Sequence, residues 1–181
     1  EEWREVHSSS VGAVVAGLQA LDMQNIVDVP GWLIAKGRKT LMDMLPFESD
    51  TRPVDLAQLS LIYPYNILPR FIAETILERV EQKLLRERGV ARYQGDSYYS
   101  TIEGDGRDRE LHHYFGTEAE WSFGLPWLSL CHLSLGDTEK AKYYLERTEA
   151  IILSDGSLPE LYFAGKDEWN GNTPLGWANA M

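Results

Sequence analysis

The sequence predicts an all-α domain, and three observations lead to this prediction. Apolar residues recur at helical spacing along most of the 181-residue chain. Prolines stand where these periodic segments begin, and glycines stand where several of them end. The apolar fraction of 44% and the charged fraction of 25% are typical of a globular protein. A chain of this length fits a single domain.

Three helices are predicted in the first third of the chain. The first follows a cluster of serines at 8–10 that is able to cap a helix. Its apolar stripe has the spacing i, i+3, i+4, i+7 and i+10 and consists of Val11, Val14, Val15, Leu18 and Leu21. The second helix begins near Pro30 and ends before Pro46, and a short third helix follows Pro53.

The strongest periodic segment runs from Pro69 to Arg88. Proline belongs to its first turn, and Gly89 is expected to stop it. Residues 90–117 are rich in Gly, Asp and Tyr and have no clear period, which predicts a long ordered loop with a short hairpin at most. Loops of this length inside compact domains are usually functional or disordered, and four tyrosines argue against disorder.

Helices return in the last third of the chain. They are predicted over 118–135 and 137–153, with Gly136 between them. A second polar loop covers 155–173, and a last helix begins around Pro174. The sequence therefore alternates helices with polar, aromatic loops.

The charge balance excludes several classes of function. The chain has 17 Lys and Arg against 28 Asp and Glu, a formal net charge of −11. Nucleic acids and anionic membrane surfaces require clustered cations, so neither is an expected partner, whereas a neutral ligand such as a sugar is compatible. No segment approaches the roughly 20 apolar residues of a membrane span, and no signal peptide is visible. The single cysteine, Cys131, excludes an internal disulfide and favours a reducing compartment, so we expect a cytoplasmic protein.

Polar and aromatic residues collect in three segments, each at a helix boundary. They are residues 1–7, 92–99 and 155–162. Taken singly, each has a structural explanation: a solvated chain start, an Arg–Asp clasp, and a glutamate in the first turn of a helix. Together they supply what glycoside hydrolysis requires, which is two carboxyl groups across the scissile bond and aromatic walls that stack on sugar rings.

The three segments in combination resemble a known family. The stretch EEWREVHSSSVGAVVAGLQAL resembles the Trp-Glu-Glu motif and following helix of glycoside hydrolase family 15, the glucoamylase-like proteins. ARYQGDSYY is similar to that family's Arg-Tyr-x-x-Asp-x-Tyr-Tyr substrate loop, and DGSLPELYF, followed by NTPLGWANAM, resembles its catalytic-base segment. VHSSSVGAVVAGLQAL, EAEWSFGLPWLSL and LPELYF also resemble the glucoamylase-like domain of phosphorylase kinase regulatory subunits.

The resemblance implies a fold and an extent. Members of this family are (α/α)6 barrels, so the chain would be the second half of an (α/α)6 barrel, a six-hairpin toroid truncated at both ends. Residues 1–181 would then form a partial glucoamylase-like catalytic domain. The missing N-terminal half of the same barrel is its expected partner.

The resemblance also implies residue roles. Glu1, the first glutamate after the missing Trp, matches the general acid, and Glu160 matches the general base that activates water. Aligning Trp3-Arg4-Glu5 with the motif instead would put Arg4 at the acid position and imply an inactive protein. The tyrosines of the substrate loop either form a wall or pack. Apart from the resemblance, Trp121 and Trp127 are six residues apart and cannot share one narrow helix face, so one of them is expected to line a cleft while the other packs. The residues assigned to substrate binding are Arg92, Tyr93, Asp96, Tyr99 and Trp121.

The implied function is an inverting, exo-acting α-glucoside hydrolase that uses two carboxylates and no metal or cofactor. Its ligand would be an α-glucan or a small α-glucoside. The alternatives are a non-catalytic regulatory or glycan-binding module of the phosphorylase kinase subunit type, and a plain helical scaffold without a cleft. Both the hydrolase and the glycan-binding module require the three polar segments to lie on one face, with Glu160 anchored by Leu158 and Leu161. Tyr162 or Tyr99 is expected to donate a hydrogen bond to the Glu160 carboxylate.

Overall fold

A computed structural model describes residues 5–96 and 117–181, and the all-α prediction is confirmed. The order of helices and strands is α1 (Ser8–Met23), α2 (Gly31–Met44), a 3₁₀ helix (Leu56–Leu61), α3 (Arg70–Leu84), β1 (Glu120–Trp121), α4 (Gly124–Ser134), α5 (Thr138–Glu149), β2 (Leu161–Tyr162) and α6 (Gly176–Ala180). None of the helices within these two ranges has the length and apolar character needed to cross a membrane.

Helix α1 begins differently from the simple capping that the serine cluster predicts. His7 occupies the N-cap position and makes no side-chain capping bond. The Ser8 and Ser9 hydroxyls donate instead to the two oxygens of the Glu48 carboxylate, at 2.6 and 2.5 Å, and the Ser9 amide also donates to it at 3.1 Å. A buried glutamate from outside the helix therefore caps α1, because its negative charge suits the N-terminal end of the helix.

The core lies where the 3₁₀ helix, α3 and α4 meet. Side chains from all three are buried without solvent contact, among them Leu59, Leu61, Ile76, Val80, Leu125 and Leu128. Each such burial contributes about 1.5–3 kcal/mol relative to an exposed side chain. Gly12 lets α1 join this core, because a Cβ atom there would overlap the Leu61 side chain.

Helix α3 ends four residues earlier than the sequence predicts. It stops at Leu84, and Leu85 then pairs with Val90 across a tight turn in which the Arg86 amide donates to the Gly89 carbonyl at 2.9 Å. Glycine is needed at position 89 because the Glu120 backbone passes close to it, and not because a helix ends there. A Cβ atom at Gly89 would lie 2.5 Å from the carbonyl carbon of Glu120. The prediction that α3 reaches Arg88 is wrong because this pairing competes with the last helical turn.

The helix predicted over 118–135 is a strand followed by a helix. Residues Glu120 and Trp121 form β1, and α4 begins only at Gly124. Pro126 lies in the first turn of α4, where a proline is tolerated, whereas a helix from residue 118 would place it in the interior without a hydrogen bond. The unexpected strand is what positions the candidate site.

A second feature is a charged cluster that we call the helix junction, formed by Glu81, His132, Asp137 and Lys140. Glu81 of α3 lies 2.7 Å from His132 Nε2, and Lys140 Nζ donates to both of its oxygens at 3.1 and 2.8 Å. The other ring nitrogen of His132 lies 3.6 Å from the Asp137 carboxylate at the start of α5. The junction joins three helices through charged contacts.

Apolar side chains also remain uncovered on the outer face of α1 and α2. Val14 and Trp32 are 62% and 67% exposed, and a groove of about 360 Å³ runs between the two helices, lined mainly by valine and leucine side chains. Contiguous exposed apolar surface of this kind usually marks a site of packing or binding.

Candidate active site at the rim

Short backbone pairings bring the second and third polar segments together. Val90 pairs with Trp121, and Trp121 in turn pairs with Leu161 in the antiparallel β1–β2 ladder. Residues 90–96 and 158–162 are therefore neighbours across β1. The first segment joins them, because Glu5 lines the same groove as Tyr93 and Gln94. We call the resulting surface the rim; it consists of residues 5–8, 49–55, 90–96, 120–122 and 158–172.

Backbone pairing makes residues 90–96 and 158–162 neighbours, and Glu5 shares a groove with Tyr93 and Gln94. That all three segments meet on one concave face stays a prediction. Two of the residues assigned by resemblance, Glu1 and Tyr99, lie outside the described residues, as do Arg4 and Tyr98. The general acid and its separation from Glu160 therefore stay predictions.

Glu160 is a half-buried carboxylate whose two oxygens have different surroundings. Asn170 Nδ2 and Asn172 Nδ2 both donate to Oε2, at 2.5 and 2.8 Å. No described residue donates a hydrogen bond to Oε1. One oxygen is thus fixed by two amides, and the other is left to contact a ligand or a water molecule.

The backbone on both sides of Glu160 is anchored as the sequence predicts. Leu158 and Leu161 are 5% and 0% exposed. Ser122 ties β1 to this segment, because its amide donates to the Glu160 carbonyl at 3.2 Å and its hydroxyl donates to the Pro159 carbonyl. The expected tyrosine donor is wrong for Tyr162, whose hydroxyl donates to the Ile151 carbonyl at 2.7 Å instead.

Arg92 and Asp96 form a clasp that includes Trp121. Arg92 Nε and Nη2 donate to the two oxygens of Asp96, both at 2.8 Å, and Trp121 Nε1 donates to Asp96 Oδ2 at 2.9 Å. The Arg92 guanidinium also lies 4.4 Å from the centre of the Trp121 ring. Hydrogen bonding to the carboxylate raises the pKa of Arg92, so its charge is permanent. Asp96 is 1% exposed and Trp121 6%, so both face the interior rather than open solvent.

A second arginine, Arg52, packs on the ring of Tyr93. The Arg52 guanidinium lies 4.0 Å from the centre of the Tyr93 ring, and its Nη1 lies 3.9 Å from the Asp55 carboxylate. Asp55 accepts a hydrogen bond from the Ala57 amide at 2.8 Å, which caps the 3₁₀ helix. Burial raises the pKa of Asp55 to about 6, since few hydrogen bonds compensate its charge.

Glu120 holds the two loops beside β1. Its carboxylate is 3% exposed and accepts hydrogen bonds from the Arg88 amide at 2.6 Å and the Gly165 amide at 2.8 Å. The turn at 85–90 and the loop after β2 are therefore fixed to the same side chain. This is a structural use of a carboxylate, and it keeps the Glu160 loop in place.

Sequence reasoning missed the residues that support the predicted ones. Asn170 and Asn172 fix Glu160, and Arg52 and Asp55 surround Tyr93. The signal for the asparagines was present, because two amide side chains around a glycine in an otherwise charged loop form a donor pair. The Arg52 contact had no local signal, since it lies 41 positions before Tyr93 in the chain.

No protein-family model matches the chain. A protein of Caenorhabditis elegans named "Probable phosphorylase b kinase regulatory subunit alpha" is 29% identical over 213 residues, covering 98% of this chain and 17% of the relative. The skeletal muscle isoform of phosphorylase b kinase regulatory subunit alpha from Oryctolagus cuniculus is 27% identical over 184 residues, covering 91% and 15%.

The solved structures that match are glycosidases. A glycosidase variant in complex with glucose aligns over 100% of this chain and 51% of its own, with a TM-score of 0.74 and 19% identity. A wild-type glycosidase gives a TM-score of 0.72, with 20% identity over the same shares. The similarity to phosphorylase kinase regulatory subunits and the glycosidase fold that the sequence resemblance implied are both found. The fold is that of half a helical toroid, and the chain spans about half the length of the glycosidases and less than a fifth of the curated relatives.

Proposed function

We propose that the rim is the active site of an inverting, exo-acting α-glucoside hydrolase in which Glu160 is the general base. The observation that carries this proposal is the asymmetry of the Glu160 carboxylate. Oε2 accepts two amide hydrogen bonds, and Oε1 accepts none from the described residues. Two amides on Oε2 hold this carboxylate in position and leave Oε1 as the oxygen that can accept a proton. Position matters because a misplacement of about 1 Å can cost roughly a hundredfold in rate.

The chemistry needs a balanced exchange of one proton at each carboxyl group. Glu160 Oε1 takes a proton from the attacking water as oxygen bonds to the anomeric carbon. The general acid gives a proton to the leaving oxygen as the glycosidic bond breaks, and Glu1 is proposed for this role. Arg92 keeps Nη1 free of the Asp96 clasp, so this group can donate to a sugar hydroxyl.

Three lines support a glucoside as the ligand. The toroid half matches glycosidase structures, and one of those glycosidases was solved in complex with glucose. The net charge of −11 disfavours an anionic polymer and is compatible with a neutral sugar. The rim combines carboxylate, guanidinium and aromatic groups, which is the combination that a sugar ring requires.

The test is Glu160→Gln in the full-length protein, assayed on maltose, isomaltose, trehalose and soluble starch. We expect turnover to fall by at least about a thousandfold, because an amide cannot accept the proton, while folding and sugar affinity stay near wild type. Glu149→Gln, at an exposed position of α5, is the matched control and should leave turnover unchanged. Wild-type activity in Glu160→Gln would show that the base is another residue.

A second candidate is a non-catalytic regulatory or glycan-binding module. It is favoured by the names of the curated relatives, which are regulatory subunits of phosphorylase b kinase. This alternative predicts that the wild-type full-length protein binds glucosides but turns over none of them. Asn172→Ala separates the two, because loss of a donor to Glu160 should lower kcat in an enzyme and leave affinity in a binding module almost unchanged.

The extent of the domain and its setting are part of the same proposal. Residues 1–181 would form part of a glucoamylase-like domain, and the other half of the toroid would cover the apolar face of α1 and α2. A cytoplasmic location is proposed because the relatives are subunits of a kinase of phosphorylase b.

A further inference from the structure

We infer that Asn170 is a site of spontaneous deamidation, in which a side-chain amide that holds Glu160 is converted to a carboxylate. Asn170 and Gly171 form the only Asn-Gly pair in the sequence. Because glycine has no Cβ atom, the peptide nitrogen that follows this asparagine is more open to reaction than it would be before any other residue. The modification itself is independent of the proposed function, whereas its effect on turnover rests on that function.

The reaction needs only the chain itself, hydroxide and water. The Gly171 nitrogen loses its proton to hydroxide and attacks Cγ of Asn170, so that a new C–N bond closes a cyclic imide. The Cγ–Nδ2 bond breaks, and the departing nitrogen takes up a proton and leaves as ammonia. Water then opens the ring at either carbonyl, which gives aspartate or isoaspartate at this position. One amide and one water are thus exchanged for one acid and one ammonia.

The Gly171 nitrogen is accessible in the fold. Gly171 is exposed, and a Cβ atom placed on it would meet no atom within 4 Å. No described residue accepts a hydrogen bond from its amide. The Thr173 hydroxyl donates to the Asn170 carbonyl oxygen at 3.1 Å, which withdraws electrons from the same peptide group and makes the Gly171 N–H more acidic. The described residues therefore leave the attacking atom unprotected.

The side chain of Asn170 is held at one end only. Its Nδ2 donates to Glu160 Oε2 at 2.5 Å, but its Oδ1 is buried and has no hydrogen-bond partner among the described residues. An unpaired buried oxygen destabilises the native position of the amide, which lowers the cost of turning Cγ toward the Gly171 nitrogen. Attack by the next residue needs no solvent at the side chain, so the low exposure of Asn170 does not prevent it.

Two other asparagines provide comparisons within the same protein. Asn172 lies in the same loop and donates to Glu160 Oε2 at 2.8 Å, but the residue after it is Thr173, whose branched Cβ crowds the attacking nitrogen. Asn25 is exposed and also precedes a branched residue. Exposure alone favours reaction at these two asparagines, whereas access to the following nitrogen favours Asn170.

The product changes the surroundings of the proposed base. A donating N–H group at position 170 becomes a carboxylate oxygen, which faces Glu160 Oε2 across a contact of 2.5 Å. Two carboxylates at this distance cannot both be ionised, so one binds a proton or the two separate. A Glu160 side chain that is protonated or displaced no longer accepts a proton from water. Deamidation is therefore expected to abolish the proposed activity irreversibly.

The experiment follows the full-length protein during incubation in mildly alkaline buffer. Peptides from timed samples are analysed by mass spectrometry, which separates asparagine from the heavier acid, and backbone fragments distinguish isoaspartate from aspartate. We expect Asn170 to convert roughly tenfold faster than Asn172 and Asn25. Gly171→Ala should slow the conversion several-fold, and it fits the fold because the position has room for a Cβ atom and does not require a positive φ.

Asn170→Asp tests the consequence without the slow reaction. Turnover of maltose should fall by roughly a hundredfold, since the Glu160 carboxylate is displaced or protonated. The melting temperature should also be lower than that of the wild type near neutral pH, and the deficit should narrow as pH falls, because a shared proton removes the repulsion. Asn170→Ala is the matched control: it removes the same donor without adding a charge, so its deficit should change little over the same pH range.

The outcomes decide this inference separately from the proposed function. Conversion at Asn170 that is no faster than at Asn172 and Asn25, or that Gly171→Ala leaves unchanged, would overturn the deamidation site. Wild-type turnover by Asn170→Asp would show that the modification does not control Glu160. If the wild-type protein turns over no glucoside, the proposed function is wrong, and the mass measurement still decides whether Asn170 is modified.

Discussion

The rim and the helix junction each bury a carboxyl group beside cations, and the pKa values of the two groups move in opposite directions. At the junction, burial opposes ionisation of Glu81, but hydrogen bonds from His132 and Lys140 outweigh it and lower the pKa to about 2. At the rim, burial dominates for Asp55, because the Arg52 guanidinium stays at 3.9 Å without a hydrogen bond, and the pKa rises to about 6.

The difference shows which region serves structure and which leaves polar groups unused. At the junction, Glu81 contacts His132 and Lys140 directly, so its charge stabilises the packing of α3 against α4 and α5. At the rim, the Arg52 guanidinium and one oxygen of Glu160 have no hydrogen-bond partner within the described ranges. Polar groups that are oriented but unsatisfied are costly for folding and useful for binding.

The largest expected effect is at the Arg92 clasp, where, unlike elsewhere at the rim, a buried carboxylate is paired with an arginine. Arg92→Ala should lower the free energy of unfolding by roughly 3 kcal/mol, because Asp96 would stay buried without its bidentate partner. Urea-induced unfolding of the full-length protein measures this loss, with Arg38→Ala as control. Adding Asp96→Asn should recover part of the stability by removing the buried charge. An unchanged unfolding midpoint in Arg92→Ala would mean that the clasp contributes nothing.

The next effect tests the junction itself. Glu81→Gln should lower the free energy of unfolding by roughly 2 kcal/mol, since it removes the charge that His132 and Lys140 contact. Glu74→Gln is the matched control on the same helix, because Glu74 forms an exposed pair with Arg70 at 2.7 Å. Exposed pairs contribute at most about 1 kcal/mol, so the control should be nearly neutral. Equal losses in the two variants would contradict the contrast drawn between buried and exposed charge.

A smaller effect of opposite sign is expected at Asp55. Asp55→Asn should raise the free energy of unfolding by roughly 1 kcal/mol near pH 7, because it removes a buried charge while an amide oxygen can still cap the 3₁₀ helix. The folded state holds the Asp55 proton more tightly than the unfolded state, in which the pKa is near 3.8. The free energy of unfolding of the wild type therefore rises as pH falls from about 6 toward 3.8. The stability advantage of Asp55→Asn over the wild type should disappear near pH 4.

The smallest effect is the acid dependence of the junction. The lowered pKa of Glu81 contributes stability that is present above 4.5 and is lost as pH falls toward about 2. The difference in unfolding free energy between wild type and Glu81→Gln should therefore narrow by roughly 1 kcal/mol between pH 5 and pH 3, a figure reduced for partial exposure of Lys140. Thermal unfolding of both proteins across this range provides the measurement. A constant difference would show that Glu81 stays ionised through other means.

Local pattern was enough to predict the helices and several anchors. The stripe from Val11 to Leu21, the proline before α3 and the break at Gly136 each act within a few residues, and all three predict the observed helices. The burial of Leu158 and Leu161 around Glu160 was predicted in the same way, because leucines in a polar loop are stabilised by packing into the core.

Predictions failed where distant segments pair. Leu85, Val90, Trp121 and Leu161 lie in sequence windows that look helical or irregular, and their strand pairing depends on partners up to 40 positions away. The same reason explains the error over Tyr162 and the missed amides of Asn170 and Asn172, since a hydrogen bond goes to whichever group the fold brings within reach.

By itself the sequence determined the class of the fold, the order of its helices and the segments that carry polar and aromatic groups. Those properties depend on interactions between near neighbours, such as helical periodicity, proline geometry and caps. The tertiary structure decided which of those groups meet: the clasp of Arg92 on Asp96, the contact of Arg52 with Tyr93, and the two amides on Glu160. Distances between remote side chains depend on how all the helices and loops pack together, and no local pattern encodes them.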